Sequence, residues 1–148
     1  MCQISHKLKD FVEQLTEPMR VYKIVKMHIN GKLLSSYYQN MRVEIGKTYV
    51  SPYNFMDDVE MARDKVNSYH QSWFGTDKFE LRAEGFHSLV SASDANNLIL
   101  GHIRDVHIGR VVECEIPAGA YVIRGVFSDI TCVKTVVSNA VKYVKLVD

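Results

Sequence analysis

The sequence predicts an α+β domain with a curved, largely antiparallel sheet, an N-terminal helix and two further helices. β-rich runs cluster along the chain instead of alternating one for one with helical segments, which is typical of this fold class. Val112, Cys114 and Ile116 alternate at period two with Glu113 and Glu115, and a second β-rich run starts at Tyr121, after Pro117 to Gly119. That segment predicts two strands joined by a tight turn, because proline lacks an amide donor and glycine accepts a positive φ.

Composition limits both the size and the partners of the protein. A length of 148 residues fits a single domain, 1–148, in which 1–18 is a bracing helix and 19–148 the α+β body. A formal net charge of +1 argues against a general nucleic-acid or membrane-surface binder, which would carry a basic excess. There is no apolar run long enough to span a membrane and no signal peptide, so we expect a cytoplasmic protein. An odd number of cysteines, Cys2, Cys114 and Cys132, favours reduced thiols, with the latter two buried.

The N-terminal segment has the pattern of an amphipathic helix. Ser5 can cap a helix over His6–Thr16, and Pro18 closes it. The apolar stripe consists of Leu8, Phe11, Val12 and Leu15. So short a helix needs the body of the domain to pack against.

Strands are predicted over 19–29 and 32–38, joined by the Asn-Gly dipeptide at 30–31, which suits a type I′ hairpin turn. Alternation in the first strand puts Val21, Lys23 and Val25 on one face. Tyr22, Ile24 and Lys26 lie on the other face, and the sequence does not decide which face is buried. A further strand over 42–49 is interrupted at Gly46.

The second half of the chain contains two predicted helices and several strands. One helix starts at Asp57 or Asp58 and runs to Trp73, and another is capped by Ser93, with Ala95, Leu98 and Ile99 turned inwards. A short strand is predicted at 79–82, and two terminal strands cover 130–137 and 140–147.

The candidate functional residues do not form a recognisable catalytic or metal motif. His87 stands just before a capped helix, where loops often present functional groups, so it either touches a ligand or orders the loop. His102 and His107 lack the companion ligands of a zinc site. Glu113 and Glu115 share a strand face and are either an acid–base pair or part of a solvated surface.

Three segments together resemble a group of short, mostly uncharacterised proteins from phages and gut bacteria. These segments are Val21-Tyr-Lys-Ile-Val25, Gly85-Phe-His-Ser88 followed by Asp94-Ala95, and Val112 to Gly119. The resemblance covers most of the chain from Met19. It implies a phage or bacterial accessory protein, in the host cytoplasm if phage-encoded.

More distantly, the order of these segments is similar to the ADP-ribosyltransferase-like fold. Members of that superfamily carry an Arg or His on an early strand and a glutamate on a late strand. Here the early strand offers Tyr22 and Lys23, and the late strand from Ile130 has no glutamate. The resemblance therefore implies a nucleotide cleft without the family's catalytic glutamate.

We therefore expect a non-enzymatic protein that binds a nucleotide-like small molecule or a host protein, with a counter-defence role in a phage setting and no cofactor. The ligand-binding residues would be Tyr22, Lys23, His87, Ser88 and Arg124, gathered in one cleft. An ADP-ribosyltransferase-like enzyme acting on NAD is the alternative. An oligomeric interaction protein is a third interpretation.

Overall fold

A computed structural model describes residues 3–5, 13–28, 34–36, 41–51, 79–81, 85–102, 109–126 and 133–147. These residues form twelve strands in one sheet and a single helix. The strands are β1 (Gln3–Ser5), β2 (Glu13–Gln14), β3 (Met19–Met27), β4 (Leu34–Ser36), β5 (Arg42–Val43), β6 (Thr48–Val50), β7 (Phe79–Leu81), β8 (Phe86–Leu89), β9 (Gly109–Ile116), β10 (Tyr121–Val126), β11 (Lys134–Ser138) and β12 (Ala140–Leu146), and the helix is α1 (Ala92–His102).

The described part of the chain is nearly all-β, so the prediction of an α+β fold with three helices is wrong. In the segment where the N-terminal helix was expected, Glu13–Gln14 form β2 and pair with β10. The backbone of Leu15 also pairs, accepting from the N–H of Gly119 and donating to the carbonyl of Ala120. Pairing with a distant strand thus overrides the local helical spacing. The helix predicted from Asp57 or Asp58 to Trp73 lies outside the described residues.

The sheet runs in the order β6-β12-β9-β3-β8-β11-β10-β1-β7, and every recorded pair of strands is antiparallel. β2 pairs with β10, and β4 and β5 branch from β3. In the hairpin of β3 and β4, Met27 lies opposite Leu34. This is the register that the predicted two-residue turn requires, so the pairing of the two strands is confirmed, while residues 29–33 lie outside the described ranges.

β9 and β10 are both present as predicted, but they do not pair with each other. Between them the N–H of Ala120 donates to the carbonyl of Pro117 at 3.2 Å, and Gly119 has a φ of 86°. β9 pairs with β3 and β12, whereas β10 pairs with β11, β1 and β2. The turn is therefore a corner, at which the chain passes from one part of the sheet to another around the core.

Buried side chains cover both faces of β3. The inner core is the cluster that includes Val21 and Val25 of β3, Val112, Cys114 and Ile116 of β9, Val122 of β10, Val136 of β11, and Val141 and Tyr143 of β12. The helix-side core consists of Ile24, Leu89, Ala95, Leu98, Ile99 and Val111, and it joins α1 to the opposite face. Both faces of β3 are buried, which is why alternation could not choose between them.

α1 begins one residue earlier than its predicted cap. The hydroxyl of Ser91, and not that of Ser93, accepts a hydrogen bond from the N–H of Asp94 at 3.4 Å. Ser93 lies inside the first turn and is exposed. The inward positions Ala95, Leu98 and Ile99 are confirmed as buried.

Candidate functional site

The centre of the sheet contains a fork, at which two strands share one edge of β3. On its other edge, β3 pairs with β9 over eight residues. On the forked edge, β8 pairs only where Tyr22 lies opposite Leu89, and β4 pairs from Val25 onwards. Lys23 lies between these two pairings. We call Lys23, His87 and Ser88 the strand fork.

The side chain of Lys23 reaches across the fork to a backbone carbonyl of β8. Val90 donates its N–H to the carbonyl of Lys134 on β11. Because hydrogen-bonded positions alternate in antiparallel strands, the backbone carbonyl of His87 points away from β11, towards β3. The ammonium of Lys23 donates a hydrogen bond to this carbonyl. A side-chain donor thus joins β3 to β8 at the fork.

Lys23 is buried, with 7% of its surface exposed, and its side chain points into the inner core. Val112 lies directly opposite it on β9. Desolvation lowers the pKa of the Lys23 ammonium to about 8, although the nearby Cys114 acts in the opposite direction. Among the described residues, no carboxylate pairs with this ammonium, because Glu113 and Glu115 alternate with core positions and point to the other face.

Three more polar side chains accompany Lys23 in the inner core. Extending the antiparallel register by one residue from Tyr22 and Leu89 places Ser88 opposite Lys23. Cys114 lies opposite Val21, and Tyr143 lies opposite Cys114. We call Ser88, Lys23, Cys114 and Tyr143 the polar track. The hydroxyls of Ser88 and Tyr143 are buried and have no hydrogen-bond partner among the residues described.

Lys23 is the member of the polar track that changes charge near neutral pH. Burial raises the pKa of the Cys114 thiol to about 12, because desolvation outweighs the attraction of the Lys23 ammonium. Burial likewise holds the pKa of Tyr143 well above its usual range. Both groups are therefore neutral at physiological pH, and neither can serve as a counter-ion for the ammonium.

The structure distributes the five predicted ligand-binding residues over two faces. Lys23 and Ser88 share the inner face, whereas Tyr22 packs against the helix-side core and His87 alternates onto that same face. Arg124 stands opposite Val136, which in turn stands opposite Ser88. Two strand spacings put Arg124 about 10 Å from Ser88 along the sheet. Its guanidinium is bound at 3.0 Å to Glu13, and both side chains are about half exposed.

Other candidates from the sequence fall outside this site. Glu113 lies 3.5 Å from Arg20 in an ion pair whose arginine is 71% exposed, which makes this a surface interaction of little energetic weight. No group of three potential metal ligands occurs within the described ranges, and His107 lies outside them. Cys114 and Tyr143 were not predicted as site residues, since alternation marks them only as core positions.

No protein family, curated protein or solved structure matches this chain. The helical structure of the described ranges does not reach the length and apolarity that a transmembrane helix needs. Function is therefore inferred from the strand fork itself.

The Cys114 thiol should be protected from alkylation. Its side chain is fully buried, and its pKa of about 12 leaves almost no thiolate. In a Cys2→Ser/Cys132→Ser variant, we expect iodoacetamide to label Cys114 only at the rate of unfolding, with full labelling in urea. Rapid labelling under native conditions would show that the inner core opens locally at β9.

Proposed function

We propose that this protein is a non-enzymatic binding protein that takes one small, anionic, nucleotide-like molecule at the strand fork. The observation that carries this proposal is the buried ammonium of Lys23, for which the described residues provide one acceptor, the neutral carbonyl of His87. Burying an unpaired charge costs several kcal/mol unless a partner neutralises it. Residues that cost stability without serving the fold are typical of functional sites.

The neighbours of Lys23 are suited to holding an anion. An ammonium has three donors, and the carbonyl of His87 takes one of them. The hydroxyl of Ser88 adds a further donor from the opposite strand, and it has no hydrogen-bond partner in the part of the chain that the structure describes. A phosphate or carboxylate group of the ligand would accept from both residues, in charge-assisted hydrogen bonds.

Access to the fork requires β8 to separate locally from β3. Backbone pairing between these strands is confined to Tyr22 and Leu89, so this separation breaks little of the sheet ladder. On its far side β8 keeps four paired positions with β11. Segments with few backbone bonds open at a lower free energy than the rest of a fold, which makes this seam the proposed entrance.

The biological setting belongs to the same proposal. The resemblance to short phage and gut-bacterial proteins suggests an accessory factor in the bacterial cytoplasm, and capture of a nucleotide-like signal would suit a counter-defence role. The proposed activity is sequestration, because the polar track holds a lysine and uncharged side chains and no paired acid and base.

Native mass spectrometry of the protein purified from bacterial cells tests the proposal. We expect wild-type protein to carry one extra mass of nucleotide size, and Lys23→Met to be bare. Lys142→Met is the matched control, because Lys142 is an exposed strand lysine, and it should keep the ligand.

Two outcomes would count against small-molecule binding. A bare wild-type protein would remove the support for a ligand at the fork. A co-purifying polypeptide, retained by Lys23→Met, would favour a protein-binding function instead.

A further inference from the structure

We infer that the group bound at the strand fork is a singly charged oxyanion, a carboxylate or a phosphodiester, and that its binding is linked to the protonation of Lys23. This inference rests on the proposed function and specifies the chemistry of its ligand. It depends on two independent features of the fork: a buried ammonium and a buried hydroxyl, for which the described residues provide neither a counter-charge to the first nor a hydrogen-bond partner to the second.

Charge balance selects a single negative charge. Lys23 contributes one positive charge to an interior in which its neighbours are Val21, Val25 and Val112. A singly charged group makes a neutral pair there, whereas a terminal phosphate with two charges would leave an excess buried charge. The donors also match, because two N–H groups of the ammonium and the Ser88 hydroxyl face the two oxygens of a carboxylate or phosphodiester.

Linkage to protonation follows from the groups that face Lys23. From β9 it is faced by Cys114 and from β8 by Ser88, while Tyr143 stands beyond Cys114 on β12. The thiol and the phenol are neutral up to at least pH 9, because burial raises both pKa values, and the serine does not titrate there. The Lys23 ammonium, with a pKa of about 8, is thus the titrating group of the polar track in this range.

An anion that needs the charged ammonium must bring a proton with it when the amine is neutral. Affinity should therefore fall about tenfold for each pH unit above 8. Below pH 7 the ammonium is already formed, and affinity should be constant. A ligand held only by hydrogen bonds to Ser88 and the backbone would bind with the same affinity at every pH in this range.

Isothermal titration calorimetry with two probes tests the inference. Dimethyl phosphate and acetate each carry one constant charge between pH 7 and pH 9, and trimethyl phosphate is the neutral counterpart of the first. At constant ionic strength we expect at least one anion to bind wild-type protein at pH 7, about tenfold more weakly at pH 9. The anion that binds more tightly identifies the bound group as a phosphodiester or a carboxylate.

Binding by two variants and the uptake of protons in different buffers test the same inference. Lys23→Met should lose binding of the anion, and Lys142→Met should bind like wild type. At pH 9, buffers of different ionisation enthalpy should reveal the uptake of close to one proton for each anion bound.

Three results would overturn the inference: absence of binding by both anions at pH 7, equal affinity at pH 7 and pH 9, or equal binding of trimethyl phosphate. If a ligand still co-purifies in a manner that depends on Lys23, the proposed function stands and only the charge assignment fails. A wild-type protein that purifies without a ligand would contradict both the proposed function and the charge assignment.

Discussion

Lys23→Met is expected to raise the free energy of unfolding at pH 7 by about 1–2 kcal/mol. Replacing a buried charge with an apolar side chain of similar shape is often stabilising by about 1–4 kcal/mol. Part of that gain is lost here, because methionine removes the hydrogen bond that Lys23 donates to the carbonyl of His87. Chemical denaturation with urea measures the difference.

The advantage of the variant should shrink as pH rises. Folded Lys23 loses its proton near pH 8, whereas unfolded lysine keeps it to about pH 10.5. Between these values the unfolded state binds more protons, so the stability of the wild type rises with pH. Relative to Lys23→Met, the wild type should gain up to about 3 kcal/mol over this range, from a shift of about 1.4 kcal/mol per pKa unit.

Comparing the wild type with Lys23→Met largely cancels the contribution of the other titrating groups to the pH dependence of stability. Cys114 and Tyr143 ionise more readily in the unfolded chain, which destabilises both proteins above pH 9 and largely cancels in the difference. The difference in free energy of unfolding between Lys142→Met and the wild type should not change with pH. A large loss of stability in Lys23→Met at every pH would mean that the ammonium serves the fold, and the binding proposal would lose its energetic basis.

Tyr143→Ala is expected to lower the free energy of unfolding by about 3–5 kcal/mol, because it removes a fully buried aromatic ring from the inner core. That ring also meets Tyr49 edge to face, with 5.6 Å between the centroids. Tyr143→Phe keeps the ring and removes a buried hydroxyl that has no partner. We therefore expect Phe to be neutral or to stabilise the fold by about 1 kcal/mol.

Tyr49 provides the matched control. Its hydroxyl accepts a hydrogen bond from the N–H of Glu44 at 2.9 Å, so Tyr49→Phe should cost about 1 kcal/mol. Urea unfolding of the three variants gives the comparison. If Tyr143→Phe lost as much stability as Tyr49→Phe, the hydroxyl of Tyr143 would have to be bonded in solution.

Local signals in the sequence predicted strands well and their partners poorly. The Asn-Gly dipeptide at 30–31 predicted a hairpin, and the observed register of β3 with β4 agrees with that prediction, since a turn constrains the residues on either side of it. The turn at Pro117 and Gly119 was equally clear, yet its strands pair elsewhere, because Leu15 occupies the backbone groups of the corner. The same distant pairing turned a helical pattern at Glu13–Gln14 into a strand.

The site was predictable only in part for a related reason. Alternation placed Lys23 between Val21 and Val25, which is an unusual position for a lysine if that face is buried. Predicting that Lys23 is buried requires knowing which elements cover both faces of β3, including α1 on the opposite face. This depends on the whole topology. The fork itself arises because β4, which follows β3 in a hairpin, and the distant strand β8 share one edge of β3. No local sequence pattern predicts this arrangement.

The position of β3 also has a consequence during synthesis of the protein. β3 is made early, but its longest partner, β9, runs from Gly109 to Ile116 and emerges only when most of the chain has been translated. Until then β3 has little beyond its hairpin with β4 to pair with. The centre of the sheet must therefore assemble late, and contacts of such high sequence separation are expected to make folding slow. β9 pairs with β12 and β10 with β11, so the segment from β9 to β12 contains two strand pairs that are close in sequence and well placed to form first.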